Sequence, residues 1–144
     1  MYCTHLNLIY RLASGCLDTD TNLMCAIENN DLTVVRRLLE EATDFDINET
    51  TINGTKYLHH AFTQEMAELL LSYGADVNSQ TEDLGIPVLA LATFNPPLRE
   101  FLLNQSNLEI DLLDDENYSC IDYAIEDEDV DTIQALISHG AKCH

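Results

Sequence analysis

Histidine and cysteine are the first side chains to consider, because both are common ligands of zinc. His59 and His60 form the one adjacent histidine pair of the chain. A second group with zinc-like spacing lies at the C-terminus and would need two further ligands from the N-terminus: His139, Cys143 and His144 with Cys3 and His5. In both groups the side chains could instead have a purely structural role. The secondary-structure elements that position them decide between metal binding and that structural role.

Acidic residues suggest calcium only at first sight. Residues 18–29 open with acids at alternate positions, as a calcium loop does, but Leu23 stands where the sharp turn needs glycine and Asn29 where a bidentate glutamate is needed. Residues 44–48 fail the same test. The sequence contains neither a glycine loop for phosphate nor a G-x-S-x-G nucleophile motif. We therefore expect no enzyme, no metal and no organic cofactor.

A repeated helical pattern positions these residues. Four segments each carry an apolar residue three positions before an alanine, with anchors at 23, 58, 89 and 121 and steps of 35, 31 and 32 residues. A second apolar run at helical spacing follows each anchor, and turn-forming residues follow the run, most clearly in LLLSYGADVN at 69–78. Gly74 suits the left-handed position that closes a helix. A period of this length indicates stacked helix pairs.

The pattern resembles the ankyrin repeat, whose family sequence is a glycine turn, T-P-L-H-x-A-A, a second helix and G-A-D-V-N over about 33 residues. The match is most specific in the second repeat, at Gly54, Leu58, His59, Ala61 and residues 74–78. The resemblance implies an all-α ankyrin solenoid with β-hairpin-like turns, in which His59 braces neighbouring turns by hydrogen bonding. It also implies that the two termini lie at opposite ends of a stack, which argues against the shared zinc site.

We divide the chain into residues 1–18, an N-terminal capping helix, and four repeats at about 19–50, 51–81, 82–113 and 114–144, forming one cooperative domain. Repeats 2 and 3 are about three and two residues short before their second helices, so their first helices or inter-helix turns must be shortened. Asn117 replaces the turn glycine of repeat 4. Asn78 has a turn-stabilising role, or it is a site that resembles the ankyrin asparagines hydroxylated in animal cells. A polar outer face on repeat 4 is expected to end the array.

Charge is the feature that exceeds the family pattern. The 144 residues include 26 acids and 6 bases, for a net charge of −20, and residues 109–131 contain no Lys or Arg. Six bases cannot neutralise a phosphate backbone, which excludes nucleic-acid binding. The acids form either a solvated face or part of a binding groove.

The resemblance implies that ligands lie along the hairpin fingertips and the first helices. At those positions repeats 1 and 4 present acids, whereas repeat 3 presents apolar side chains. The predicted binding groove therefore has acidic flanks and an apolar middle: Asp18, Asp20 and Glu28 in repeat 1, Asp83, Leu84, Ile86 and Phe94 in repeat 3, and Asp115, Glu116, Tyr118, Glu126 and Asp127 in repeat 4.

From the resemblance we expect a non-enzymatic protein-interaction module that binds, and masks or inhibits, a basic segment of a partner protein. Two alternatives stay open. One is an acidic decoy that imitates nucleic acid and blocks a DNA-binding protein, and we rank it lower because the acids are concentrated on particular faces. The other is an inhibitor similar to the four-repeat inhibitors of cell-cycle kinases.

Cysteine usage and hydropathy bear on where the protein acts. Five scattered cysteines form no even framework, which favours reduced thiols in the cytoplasm or nucleus, of a host cell if the protein is viral or bacterial. No apolar run approaches the roughly 20 residues of a membrane helix. We expect a monomer without a membrane partner.

Overall fold

Four consecutive helix pairs build the part of the chain described by a computed structural model, residues 21–51 and 53–142. The pairs are α1 (Thr21–Glu28) with α2 (Leu32–Glu41), a 3₁₀ helix (Tyr57–His60) with α3 (Gln64–Ser72), α4 (Val88–Leu91) with α5 (Pro96–Leu103), and α6 (Cys120–Glu126) with α7 (Val130–Ser138). Within these residues one isolated β-bridge, between Gln80 and Pro87, accompanies the helices. The prediction of an all-α solenoid is confirmed.

The second helix of every pair begins at a side-chain cap. Each capping side chain accepts a hydrogen bond from the backbone N–H three residues later, which satisfies one of the free donors at a helix N-terminus. The caps are Asp31, Thr63, Asn95 and Asp129. Pro96 and Pro97 occupy the first turn of α5, where a missing N–H costs nothing.

The first helices of repeats 2 and 3 are short, as predicted. They contain 4 residues each, against 8 in α1 and 7 in α6. The cap of the second helix follows the repeat alanine by two residues in repeat 2 (Ala61 to Thr63) and by five in repeat 4 (Ala124 to Asp129). The missing residues therefore come from the end of the first helix and its connection to the second.

The core is a continuous cluster of buried apolar side chains, to which both helices of each repeat contribute. Leu58, Leu70 and Leu102 are all buried, and so is Ile121 of the last repeat. Burying one such side chain stabilises the fold by about 1.5–3 kcal/mol. Because the helices are short, this stability depends on contact with the neighbouring repeats.

Turn side chains connect each repeat to the next. The amide of Asn48 donates to the carbonyl oxygen of Gly74 (2.9 Å) and accepts from the N–H of Asp76 (2.7 Å). One repeat later, the amide of Asn78 donates to the carbonyl oxygen of Asn107 (2.9 Å) and accepts from the N–H of Glu109 (2.7 Å). These bonds support the turn-stabilising role of Asn78.

Of the polar side chains expected on the outer face of repeat 4, Glu126, Glu128, Asp131 and Gln134 are exposed and Asp129 is half-buried, but large apolar side chains are exposed as well. Ile125, Val130 and Ile137 are among the most exposed large apolar side chains of the described residues. The surface of the last described helix pair is therefore partly polar and partly apolar.

The two described cysteines differ in state. Cys25 is disulfide-bonded, so the expectation of reduced thiols is wrong for this residue. Cys120 is buried in α6 and is not part of a disulfide. The other three cysteines, at positions 3, 16 and 143, lie outside the described residues, as does the predicted capping helix 1–18.

A bilayer-spanning segment would need a longer apolar helix than any that occurs between residues 21 and 142, as far as these are described.

Candidate protein-interaction surface

The hairpin fingertips of repeats 2, 3 and 4 are tight turns, each with one residue in the left-handed backbone region. Gly54, Gly85 and Asn117 occupy equivalent places, four residues before the anchors, with φ of 78°, 69° and 67°. Asn tolerates this region better than other non-glycine residues, because its short side chain bonds locally. Asn117, which departs from the family pattern, therefore replaces the turn glycine without changing the left-handed backbone of the turn.

The fingertips of repeats 3 and 4 stack on each other. The N–H of Asp115 donates to the carbonyl oxygen of Leu84 (2.9 Å). A side chain at Gly85 would meet the Asp115 carboxylate, because a Cβ there would lie 2.8 Å from Oδ1. This close approach brings three exposed predicted residues together: Leu84, Asp115 and Glu116.

Repeat 4 holds its fingertip rigidly through a buried carboxylate. Asp114 Oδ1 accepts from the N–H groups of Glu116 (2.8 Å) and Tyr118 (2.9 Å), and Oδ2 accepts from the hydroxyl of Tyr123. The hydroxyl of Tyr118 donates to Glu126 Oε1 (3.0 Å), which links the fingertip to the first helix of the same repeat. Tyr118 and Glu126 therefore lie together, as predicted. Asp127 is the C-terminal cap of that helix, and both of its carboxylate oxygens are buried, so its assignment as a partner-binding residue is wrong.

The apolar middle of the predicted groove is smaller than expected. Ile86 is only 1% exposed, so its assignment as a partner-binding residue is wrong. Its backbone is tied inward, since its N–H donates to Thr81 Oγ1 (3.0 Å) and its carbonyl oxygen accepts from His59 Nε2 (3.0 Å). Leu84 and Phe94 are 38% and 43% exposed, but they lie before and after α4.

Leu113 was missed by the sequence reasoning. It is 40% exposed at the base of the repeat 4 fingertip, and its carbonyl oxygen accepts from Gln80 Nε2 (2.9 Å). It adds an apolar side chain near the stacked fingertips. The available signal was a leucine pair, 112–113, directly before an acidic run.

The acidic flank of repeat 1 is described only in part. Asp18 and Asp20 lie outside the described residues. Glu28 is half-buried at the end of α1, and its carboxylate lies 3.8 Å from His60 Nδ1. Of the two predicted flanks, the structure thus documents the one in repeat 4. Asp83, on the repeat 3 fingertip, is exposed and accepts from the N–H of Leu84 (2.7 Å).

Exposed acids also occur away from the fingertips. They are present on the second helices and on the turns that follow them, for example at Glu40, Glu41, Glu65, Glu68, Asp76 and Asp131. The expectation that acids concentrate on particular faces is therefore wrong for the described residues. Acidity alone does not mark the binding face, and the fingertips differ by combining acids with exposed leucines.

His59 has the bracing role that the resemblance implied. Its Nδ1 accepts from the N–H of Lys56 (3.1 Å), so Nε2 carries the proton that is donated to the carbonyl oxygen of Ile86 in the next repeat. Burial lowers the pKa of His59 to about 4, which keeps the ring neutral. His60 Nε2 lies 2.7 Å from Thr55 Oγ1. No group of three potential metal ligands occurs among the described residues.

Comparison with known proteins agrees with this geometry. A family model of ankyrin repeats, in three copies, matches residues 1–81, more than half of the chain. The chain belongs to the ankyrin repeat family, whose members are protein–protein interaction modules. The helix pairs after residue 81 share the caps and left-handed turns of the matched part. No curated protein matches the chain.

Proposed function

We propose that this protein is a non-enzymatic module that masks a basic, partly apolar segment of a partner protein, and that the stacked fingertips of repeats 3 and 4 hold it. The single observation that carries the proposal is the combination of exposed leucines, Leu84 and Leu113, with the exposed acids Asp115 and Glu116 on adjoining turns. Asp83 and Glu126 form the acidic rim of the same surface, and Tyr118 lies beside Glu126. Phe94 contributes a second apolar contact at the far end of α4.

The two kinds of side chain have different effects on binding. Rim carboxylates attract a cationic chain and raise the association rate, and salt weakens this effect because the Debye length is about 10 Å at 0.1 M. Apolar side chains that become buried in the complex determine the dissociation rate. Charge and apolar contacts are therefore separable by kinetics.

The test uses a labelled, unstructured peptide of Lys, Arg, Leu and Ser, with binding rates measured by stopped-flow fluorescence from 0.02 to about 0.5 M NaCl. Changing Asp115 and Glu116 to Lys should slow association several-fold at low salt and leave dissociation nearly unchanged. Leu84→Ala and Phe94→Ala should instead speed dissociation.

A matched control reverses the same number of charges on a second helix, at the exposed Glu65 and Glu68 of α3. This variant should keep most of the association rate, since its acids lie away from the fingertips. If both pairs of reversals slow association equally, the attraction comes from the net charge and the proposed surface is wrong. Affinity that is unchanged by salt would also contradict it.

The wide distribution of exposed acids favours one second candidate, the nucleic-acid decoy. A decoy would bind the DNA site of a DNA-binding protein, so duplex DNA should displace it from any such partner purified with it. Its binding should be insensitive to Leu84→Ala, because phosphate imitation needs no apolar contact. Loss of binding in that variant would contradict the decoy and support the masking module.

Other parts of the proposal concern state and place. We propose a monomer on the basis of the charge, since chains of net charge −20 repel one another. We propose the cytoplasm or nucleus on the basis of the ankyrin repeats, although the disulfide of Cys25 favours an oxidising compartment. Inhibition similar to that of the four-repeat kinase inhibitors would follow if the masked segment belongs to a kinase. Analytical ultracentrifugation at low and high salt tests the monomer, which should sediment with the mass of a single chain in both.

A further inference from the structure

The fingertip of repeat 2 contains the one Asn-Gly pair of the chain, Asn53 and Gly54. Asparagine is thermolabile, because the backbone nitrogen of the next residue can attack its side-chain amide carbon. Glycine allows this attack most readily, since it has no Cβ to block the approach of the nitrogen. Whether the pair reacts in the folded protein depends on the turn that holds it.

Two backbone hydrogen bonds define this fingertip as a tight hairpin turn. The N–H of Thr51 donates to the carbonyl oxygen of Thr55 (2.8 Å), and the N–H of Gly54 donates to the carbonyl oxygen of Thr51 (2.9 Å). The side chain of Asn53 is exposed and makes no hydrogen bond to the rest of the described chain. The attacking nitrogen is therefore held by one bond, in a surface turn that opens locally at low cost.

Other asparagines of the described residues are held more firmly or are followed by a side chain. Asn78 precedes the buried Ser79, and its amide is engaged in the two turn bonds described above. Asn117 precedes Tyr118, whose N–H donates to Asp114 Oδ1 (2.9 Å). These two asparagines are therefore internal references for the reactivity of the Asn-Gly pair.

We propose that Asn53 is a modification site, at which the fold permits loss of the side-chain amide and its replacement by a carboxylate. The backbone nitrogen of Gly54 bonds to Cγ of Asn53, the bond from Cγ to Nδ2 breaks, and the proton of the Gly54 N–H leaves with Nδ2 as ammonia. Water then opens the cyclic imide. Cleavage between Cγ and nitrogen gives aspartate, whereas cleavage at the original backbone carbonyl gives isoaspartate. Water is the only other reactant.

The aspartate product would make the fingertip of repeat 2 resemble that of repeat 4. Asn53 lies five residues before its anchor, as the exposed Glu116 does. The two turns have the same bonds, since the N–H of Asp114 donates to the carbonyl oxygen of Tyr118 (2.9 Å) and the N–H of Asn117 to that of Asp114 (3.0 Å). The reaction would therefore extend the row of fingertip carboxylates to repeat 2.

The isoaspartate product would instead alter the contact between fingertips. Its main chain runs through Cβ and Cγ, which lengthens the turn before Gly54. The carbonyl oxygen of Gly54 accepts from the N–H of Glu82 in repeat 3 (2.7 Å), so a longer turn moves this acceptor. The modification itself does not depend on what the fingertips bind.

The test incubates the purified protein at neutral and at mildly alkaline pH and follows its peptides by mass spectrometry. The peptide with Asn53 should gain the mass difference between Asp and Asn and should separate into two products by chromatography. The gain should be faster at the higher pH, because the nucleophile is the deprotonated amide nitrogen. The peptides with Asn78 and Asn117 should keep their mass over the same time.

Gly54→Asn is the matched variant, because Asn117 adopts the same left-handed backbone in repeat 4. A Cβ at this position would lie 3.7 Å from the Cβ of Glu82, an ordinary contact, so the turn should persist. The variant should slow the mass gain at Asn53 several-fold, since the attacking nitrogen then carries a substituted neighbour.

A free peptide with the sequence of residues 49–57 measures the reaction without the fold. The proposal is overturned if this peptide is converted while Asn53 of the protein keeps its mass, because the turn would then protect the site. It is also overturned if Asn78 or Asn117 reacts as fast as Asn53, which would indicate reaction through the unfolded chain. An unchanged rate in Gly54→Asn would overturn it as well.

Discussion

At the scale of single residues, His59 shows how two hydrogen bonds determine a protonation state. The ring accepts one bond and donates the other, so a second proton would have to replace the bond from the Lys56 N–H. Burial is the largest cause of its lowered pKa, and the positive charge of Lys56 also lowers it. Folding therefore favours the neutral form of the His59 ring.

This gives a pH dependence of stability. The pKa of His59 is about 4 in the folded state and about 6.5 when unfolded, so its contribution is complete above pH 6.5 and is lost as pH falls toward 4. Between pH 7 and 5.5, where most carboxylates stay ionised, the loss should be about 1 kcal/mol. Urea unfolding of the wild type and of His59→Asn measures it. The variant should be less stable at pH 7 and less dependent on pH, and equal pH dependence would contradict the assignment.

Asp111 occupies the position in repeat 3 that Asn48 and Asn78 occupy in repeats 1 and 2, but it carries a carboxylate in place of an amide. It accepts from the N–H of Lys142 (3.0 Å), as Asn48 and Asn78 accept from the turns that follow them. A carboxylate, however, cannot donate to the carbonyl oxygen of Gly140, which is equivalent in register to the carbonyl oxygens that those asparagines bind.

Asp111→Asn should therefore stabilise the protein by about 1 kcal/mol, since the amide supplies the missing donor and removes a negative charge. The reciprocal change, Asn78→Asp, should destabilise it by about 1–2 kcal/mol, because it loses the bond to Asn107. Urea unfolding compares both variants. Effects of the same sign would show that Asp111 and Asn78 are not equivalent in register.

At the scale of elements, substitution of two glycines distinguishes the cost of a left-handed backbone from the cost of a steric clash. Gly74 closes α3 with φ of 96°, and a Cβ added to it would have nothing within 4 Å, whereas a Cβ added to Gly85 would lie against Asp115. Gly74→Ala should cost about 1 kcal/mol from the left-handed backbone alone. Gly85→Ala should cost more and should shift the NMR signals of the repeat 4 fingertip. Equal costs without such shifts would mean that the two fingertips do not touch in solution.

Core leucines test the register of the repeats. Leu58, Leu70 and Leu102 are each at most 2% exposed, so changing any of them to Ala should destabilise the protein by about 2–5 kcal/mol. A domain has about 5–15 kcal/mol in total, so the thermal midpoint should fall visibly. Leu113→Ala, at an exposed leucine, is the control and should change the midpoint little. Thermal unfolding that is unaffected by all three core changes would contradict the register.

The lengths of the first helices could be predicted from the sequence, because they are limited by the number of residues between the repeat alanine and the next cap. The distance from the repeat alanine to the next cap residue is shorter in repeats 2 and 3, and a helix cannot regain the missing turn. The orientation of Ile86 could not be predicted, because it depends on a bond from His59 of another repeat. The exposure of Ile125 and Ile137 could not be predicted either, since it depends on what lies beyond the repeat and their residue types are those of a covered junction.

At the scale of the whole molecule, the charge should make stability depend on salt. Self-repulsion at a net charge of −20 destabilises the compact state, and salt screens it. The thermal midpoint should rise by several degrees between about 10 and 300 mM NaCl. Changing Glu65 and Glu68 to Lys should reduce the rise. A midpoint that falls with salt would indicate that specific ion pairs, such as Arg99–Glu100, dominate.

The uncovered end of repeat 4 also has a consequence for how the molecule opens. In a linear array each repeat is stabilised by its neighbours, so a repeat with one uncovered face loses its structure more easily than those behind it. Opening of the described repeats should therefore begin at α7 and progress toward α5, and the last helix should be the first to admit a protease. Any element that packs on the isoleucines would slow this opening, and with it the proteolysis of repeats 3 and 4.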